Sequence, residues 1–253
     1  MIDLHFHLLP GVDDGPATTL EAVDLARAAV AAGTDTVVAT PHVSWRWPQN
    51  DALRIANGVM LLKRELRAAG VALDVRRGAE VALADAVDLP AGDLARLGLA
   101  GGPWLLLECP SQGAAAGVEI LIGSLPVEPG RVLLAHPERI RTFREEPELL
   151  ARLVAAGARC QITASALTGG FGRDVERFSL WLLEQGLVHV AASDAHAVSG
   201  RPPSLAKALR RAGVSDAVAQ WLTQECPAAV LAGESLPPAP TRQARHGARR
   251  PAR

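Results

Sequence analysis

Seven short β-rich runs alternate with helical patterns along this chain, and six of the seven have a histidine or an acid at their end or within three residues after it. The runs are 2–5, 36–39, 74–79, 105–109, 132–136, 159–163 and 188–193. Such alternation builds βαβ units and a parallel sheet. Seven units in 253 residues predict one α/β domain, a distorted TIM-like (β/α)7 barrel, in preference to an open doubly wound sheet. The open sheet has no motif behind it, because no Gly-x-Gly-x-x-Gly or Gly-x4-Gly-Lys loop follows a strand.

The helical patterns carry their own punctuation. Thr18-Thr-Leu-Glu21 reads as a capping box, the apolar positions Leu20, Val23, Ala26, Ala29 and Val30 follow at helical spacing, and Gly33 is a stop. Further helices are expected over 51–69, 148–156, 174–184 and 205–212. From about Glu234 apolar periodicity ends in favour of Pro, Arg, Ala and Gln, so residues 1–235 read as the folded domain and 236–253 as a basic, disordered tail.

Charge and cysteine usage exclude several classes. The formal net charge is -1, with five Arg and no acid between Pro237 and Arg253, so the body holds about -6 and offers nucleic acid no basic field. No apolar run approaches the roughly 18 residues a membrane span needs, and no signal core opens the chain, which reads as a cytoplasmic protein. Cys109, Cys160 and Cys226 are too scattered for a disulfide framework or a zinc ribbon and are expected as buried thiols. A cysteine nucleophile for phosphate esters needs an Arg six residues on, where this chain has Ala115, Ala166 and Ala232.

The chemistry gathers at the strand ends. In His5-Phe6-His7 both imidazoles point to one side of a strand, and Asp13-Asp14-Gly15 can fold a carboxylate back over that end. His42, Glu80, Glu108 and His136 each close a later run, and Asp194-Ala195-His196 is a second same-side pair. A barrel brings such positions together on one face. His189, inside its strand, reads as a satisfied core residue, and His246 lies in the tail. Nine buried donors on one face need positive compensation, and the set His5, His7, Asp14, His42, Glu80, Glu108, His136, Asp194 and His196 contains no thiolate. Mixed imidazole and carboxylate donors suit Mn, Fe or Zn, and nine of them suit two or three ions.

With these residues in view, Met1-Ile-Asp-Leu-His5-Phe-His7, Pro10-Gly-Val-Asp-Asp-Gly-Pro16, Ala39-Thr-Pro-His42, Gly78-Ala-Glu80, His136-Pro-Glu-Arg139 and Ala192-Ser-Asp-Ala-His196 resemble the PHP superfamily. Within it the chain is similar, from Met1 to about Ala232, to the bacterial manganese-dependent protein tyrosine phosphatases of capsule and exopolysaccharide operons. Val-Asp-Asp-Gly-Pro is the most specific part. The resemblance implies a PHP-type barrel and phosphotyrosine hydrolysis. It also implies Mn2+, with Fe, Zn, Co or Mg as substitutes, and as partner an autophosphorylating bacterial tyrosine kinase of polysaccharide export. It implies that His5, His7, Glu80 and Asp194 hold one ion, that Glu80, Glu108 and His136 hold a second, and that Asp14, His42 and His196 hold a third. Arg139 and Arg201 would bind phosphate, and His42 or His196 would serve if a general acid acts. Cys226-Pro227 departs from the usual Asn-Pro of the family, and the stretch 112–123 is Ala- and Gly-rich where a polar substrate loop is expected. Trp45 and Trp47 could wall an aromatic ring, and the basic tail could meet an acidic peptide or the inner membrane surface. A small-metabolite phosphatase, for instance of histidinol phosphate, is the alternative enzyme. An inactive metal-bound scaffold is the alternative from another class, and the oligomeric state stays open.

Overall fold

The computed structural model describes residues 1–110, 115–128 and 130–240. Nine strands lie in chain order: β1 (Ile2–Phe6), β2 (Thr36–Ala39), β3 (His42–Val43), β4 (Asp74–Arg77), β5 (Glu80–Ala82), β6 (Leu105–Glu108), β7 (Val132–Ala135), β8 (Arg159–Thr163) and β9 (Val190–Ala192). All pair in parallel, as β1-β2-β4 and as β3-β5-β6-β7-β8-β9. β2 with β3, and β4 with β5, are two strands each broken once, so the nine pieces retrace the seven expected runs. Pro41, which has no N–H to give a ladder, sits in the first break, and Gly78-Ala79 forms the second.

The ring returns to its start at the carboxyl end. Phe6 bridges Ala195 in parallel, the His7 amide donates to Ala195 O at 3.0 Å, and the Asp194 amide donates to His5 O at 3.0 Å. The last strand therefore meets the first through a short clasp beside the metal-ligand candidates and not through a full ladder. This is the distortion of the seven-strand barrel.

The helices are α1 (Thr19–Ala31), α2 (Ala52–Ala68), α3 (Leu83–Ala86), α4 (Ala91–Arg96), α5 (Ala115–Ser124), α6 (Arg141–Glu145), α7 (Pro147–Ala155), α8 (Arg173–Gln185), α9 (Leu205–Arg211), α10 (Asp216–Gln220) and α11 (Cys226–Ala232). The capping box is present as read: Glu21 N donates to Thr18 Oγ1 at 3.3 Å and Thr18 N to Glu21 Oε2 at 3.2 Å. The buried stripe of α1 is Ala22, Val23, Leu25, Ala26 and Ala29, while Leu20 and Val30 face solvent, contrary to the apolar spacing. In α2, capped by Asp51, the stripe Ile55, Val59, Leu62 and Leu66 recurs every three or four residues. Leu4 and Phe6 point from β1 into the helix layer, and Val37, Val38, Leu106, Leu133, Ile162 and Val190 are all fully buried. Both faces of the sheet are covered, as parallel strands require.

Residues 111–114, part of the anticipated substrate loop, lie outside the described residues, as do 241–253, most of the anticipated tail with His246. The segment before them is tied down: Trp104 Nε1 donates to Glu234 O at 3.0 Å and Trp221 Nε1 to Pro237 O at 3.1 Å. No helix among the described residues is long and apolar enough to cross a membrane.

Candidate metal centre

β1 delivers its two imidazoles to the barrel end already oriented. His5 Nδ1 donates to Gln161 Oε1 at 2.8 Å, and His7 Nδ1 donates to Asp13 Oδ2 at 2.7 Å. Protons held on both Nδ1 atoms leave both Nε2 atoms as lone pairs, and these face each other at 3.2 Å. Glu80 Oε2 stands 3.2 and 3.3 Å from the two Nε2 atoms, and Asp194 Oδ1 stands 3.3 and 3.5 Å away. Four electron-pair donors thus aim at one point, and a divalent cation is the group that satisfies such a meeting.

The other donors extend this cluster. His136 Nε2 lies 2.7 Å from Glu80 Oε1 and 3.8 Å from Glu108 Oε1, while His42 Nδ1 lies 3.0 Å from Glu80 Oε2 and 3.9 Å from Glu108 Oε2. Beyond them Asp14 Oδ1 is 3.2 Å from His196 Nε2 and 3.4 Å from His42 Nε2. His196 Nδ1 donates to Asp194 O at 3.0 Å, which again leaves Nε2 as the lone pair. All nine residues expected from the sequence therefore converge. Their grouping differs from the implied sets in three respects. His7 joins Asp14, His42 and His196, and His42 stands with Glu80 and Glu108, while His136 also approaches His5 and Asp194.

Three tests of fit agree. Glu80 Oε2, Asp194 Oδ1 and His196 Nε2 are buried and have no hydrogen-bond partner, a costly condition unless an ion meets them. His136 and Asp194 hold left-handed backbone, φ 34° and 52°, strain of the kind that collects where a side chain must be aimed. The carboxylate field is strong as well. Burial works against charging an imidazole, yet Asp13 and Glu80 lift His7 to about 9, and Asp14 and Glu80 lift His42 to about 11. Burial also works against ionising Asp194, yet His5 and Arg139 hold its carboxyl far below the usual range. A cation answers the field that draws protons onto these rings.

Two guanidinium groups close the other side. Arg139 Nη1 donates to Asp194 Oδ2 at 2.9 Å, and Arg201 Nη2 donates to the same oxygen at 2.5 Å. Both line a cavity of about 420 Å³ over the donors, with Arg46, Trp47 and Phe171 at its rim. The Arg139 guanidinium sits 4.9 Å over the Phe171 ring. Of the two expected aromatic walls, Trp47 lines the cavity, while Trp45 is 76% exposed and does not.

Sequence reasoning missed Asp13, Gln161 and Phe171. Asp13 stood in view beside Asp14, and its second bond, from the His42 amide at 3.1 Å, couples the turn to β3. His189 is satisfied as expected, with Nδ1 accepting from the Cys160 amide at 3.2 Å. The three cysteines are buried free thiols, and burial pushes Cys109 and Cys226 up to about 12, where no reactive thiolate forms.

Residues 1–231 match the family described as capsular polysaccharide synthesis, CpsB/CapC. The chain belongs to the CpsB/CapC family. Tyrosine-protein phosphatase YwqE of Bacillus subtilis is 36% identical over 201 residues, which is 79% of each chain. Tyrosine-protein phosphatase CpsB of Streptococcus pneumoniae is 25% identical over 221 residues, 82% of this chain and 88% of that one. Among solved structures, one from work on YwqE and CpsB, described as unique metal-dependent tyrosine phosphatases, superimposes with a TM-score of 0.81 at 32% identity. It covers 96% of this chain and 100% of that one. A mutant organophosphorus hydrolase from Deinococcus radiodurans, 18% identical with a TM-score of 0.57 over 91% of this chain and 92% of that one, shares the fold alone. The barrel of this CpsB/CapC member is thus a shape that carries more than one chemistry.

Proposed function

We propose that this chain is a metal-dependent phosphohydrolase that removes phosphate from protein tyrosine, and that its physiological substrate is a bacterial tyrosine kinase controlling capsular or exopolysaccharide synthesis. The observation that carries the reading is the convergence of nine imidazole and carboxylate donors beneath a cavity into which two arginines reach. The family and the names of its phosphatase members support it.

His5, His7, Glu80 and Asp194 would hold one ion, Glu80 and Glu108 with His42 or His136 a second, and His7, Asp14, His42 and His196 a third. Mn2+ suits the set best, with Fe, Zn, Co or Mg as replacements. Bound divalent ions supply Lewis-acid stabilisation of the phosphoryl group and activate water for in-line attack on phosphorus. The remaining work falls to the protein. Arg139 and Arg201 share Asp194, which fixes both forks and leaves their other N–H groups to hold the phosphoryl oxygens in line while the electron pair of the breaking P–O bond passes to the ester oxygen. Trp47 and Phe171 flank the approach of the aromatic ring. Phenol has a pKa near 10, so phenolate leaves with little help, and a proton from His42 or His196 is a secondary aid.

The test starts from chelated protein, restores Mn stepwise and compares a phosphotyrosine peptide, a phosphoserine peptide and histidinol phosphate, with His136→Ala beside the parent. Turnover of the phosphotyrosine peptide that needs both Mn and His136 is expected. Preference for histidinol phosphate would assign the chain to small metabolites, and turnover indifferent to metal would end the reading.

A further inference from the structure

The opposite end of the barrel carries a second cavity, of about 310 Å³, at the amino ends of three neighbouring strands. Trp104 immediately precedes β6, Arg131 precedes β7 and Arg159 opens β8, a strand's length from the metal donors. Gly130 and Gly157 also line it. Both have positive φ, 84° and 116°, and a Cβ on Gly130 would stand 3.7 Å from Gly157 O, so two glycine turns face each other across the opening. A volume of this size is at the lower end of small-molecule sites.

The charges inside do not balance. Arg159 Nη1 donates to Gly157 O and Ala158 O at 3.0 and 2.9 Å, and among the described residues no carboxylate pairs with it. Arg131 Nη1 donates to Glu234 O while its guanidinium lies 5.4 Å over Trp104. Among the described residues its one acid is Glu128, 3.9 Å from Arg131 Nε and 79% exposed, too far and too wet to neutralise it. Among the described residues the hydrogen bonds of both groups run through Nη1, and Arg131 Nε faces Glu128, so Nη2 of each and Nε of Arg159 remain for a ligand. Two planar forks, pre-positioned by carbonyls and an indole in a concave site, suit an oxyanion with several acceptor oxygens.

We propose that Arg131 and Arg159 form a phosphate-binding site at the amino end of the barrel, taking inorganic phosphate or the phosphoryl end of a small monoester. The site uses no residue of the metal centre and stands or falls separately from the phosphatase reading.

Trp104 supplies the readout, because its indole Nε1–H is bonded to Glu234 O beneath Arg131. With a diamagnetic divalent ion in the metal centre, the full chain is titrated with inorganic phosphate and separately with methylphosphonate, a monoester mimic that resists hydrolysis. The Trp104 and Trp47 indole resonances are followed together, Trp47 reporting the metal end. Saturable movement of Trp104 is expected, weakened at least tenfold in Arg159→Gln while the Trp47 response is unchanged. Ser235→Glu, an exposed position that leaves the core untouched, places an acid at the rim and is expected to suppress the same movement. The tighter of the two anions identifies the source of the phosphoryl group. Absence of saturable Trp104 movement, or movement that survives both substitutions, would overturn the site.

Discussion

Asp13 shows how a residue outside the donor set governs it. Its Oδ2 takes the proton of His7 Nδ1 and also accepts the His42 amide, while its Oδ1 accepts the Gly15 amide at 2.9 Å. Outer partners of this kind fix the tautomer and aim of a ligand, and their loss costs about 10- to 100-fold in metal affinity. Asp13→Asn is therefore expected to weaken Mn binding by about that factor, with the thermal transition of the metal-free chain little changed. Isothermal titration of chelated protein with Mn is the measurement, and unaltered affinity would remove Asp13 from its role. Asp14 apart, which was read from its turn, the donors were legible because they stand at or just past the end of an apolar run, a position where an ionisable group is out of place unless it is used. Gln161 gave no such signal: an amide inside a strand is unremarkable until His5 is seen 2.8 Å away. Asp13 and Asp14 are alike in the text, and only the turn separates a carboxylate that orients from one that faces the donors.

At the scale of elements the seven runs were readable and the breaks within two of them were not. Hydrophobic alternation reports which face is buried, but it does not report where a ladder is interrupted. Short helices such as α3 and α4 span barely a turn and leave no period to read. The break between β4 and β5 also explains Gly78, where a Cβ would lie 2.6 Å from Val38 Cγ1 and 3.0 Å from Leu99 Cδ2, both in fully buried side chains. Gly78→Ala must displace Val38 of β2 and Leu99, at a cost of about 1–3 kcal/mol for overpacking. Two residues on stands Glu80, so thermal denaturation and Mn affinity should fall together; a variant as stable as the parent would show that the break tolerates a side chain. A second expectation concerns β8 and β9, where His189 accepts the Cys160 amide through Nδ1. Burial and the nearby Arg159 charge lower its pKa to about 4 from the ordinary 6.5. Between those values the unfolded chain binds the extra proton and the folded chain does not, so this group's contribution is present above 6.5 and is lost as pH falls towards 4. Denaturant unfolding across that window should lose stability with acid in the parent. His189→Asn, which keeps an acceptor, should show a smaller slope, and equal slopes would assign the pH dependence elsewhere.

At the scale of the whole molecule, the clasp between Phe6 and Ala195 joins the first strand to the last, and the residues flanking it, His5, His7, Asp194 and His196, are four of the donors. The closing contact of the ring and four of the candidate metal donors thus share one stretch of backbone. A barrel whose ends met through a full ladder would keep its shape without ions. Here the meeting rests on one bridge, two backbone hydrogen bonds and the Ser193 amide donating to the Asp3 carboxylate at 3.1 Å, with the carboxylates of Glu80 and Asp194 buried beside it. Removing divalent ions leaves those charges to repel or to collect protons, while an ion that binds only the folded chain stabilises it by about 2.7 kcal/mol at a hundredfold excess over Kd. For a domain of this size that corresponds to roughly 5–10 °C in Tm. Calorimetry of chelated protein should therefore show a transition that climbs with added Mn by about this amount, and His136→Ala should climb less. A Tm indifferent to Mn would mean that the clasp holds the ring unaided, and that the donors at its edge serve chemistry without serving the fold.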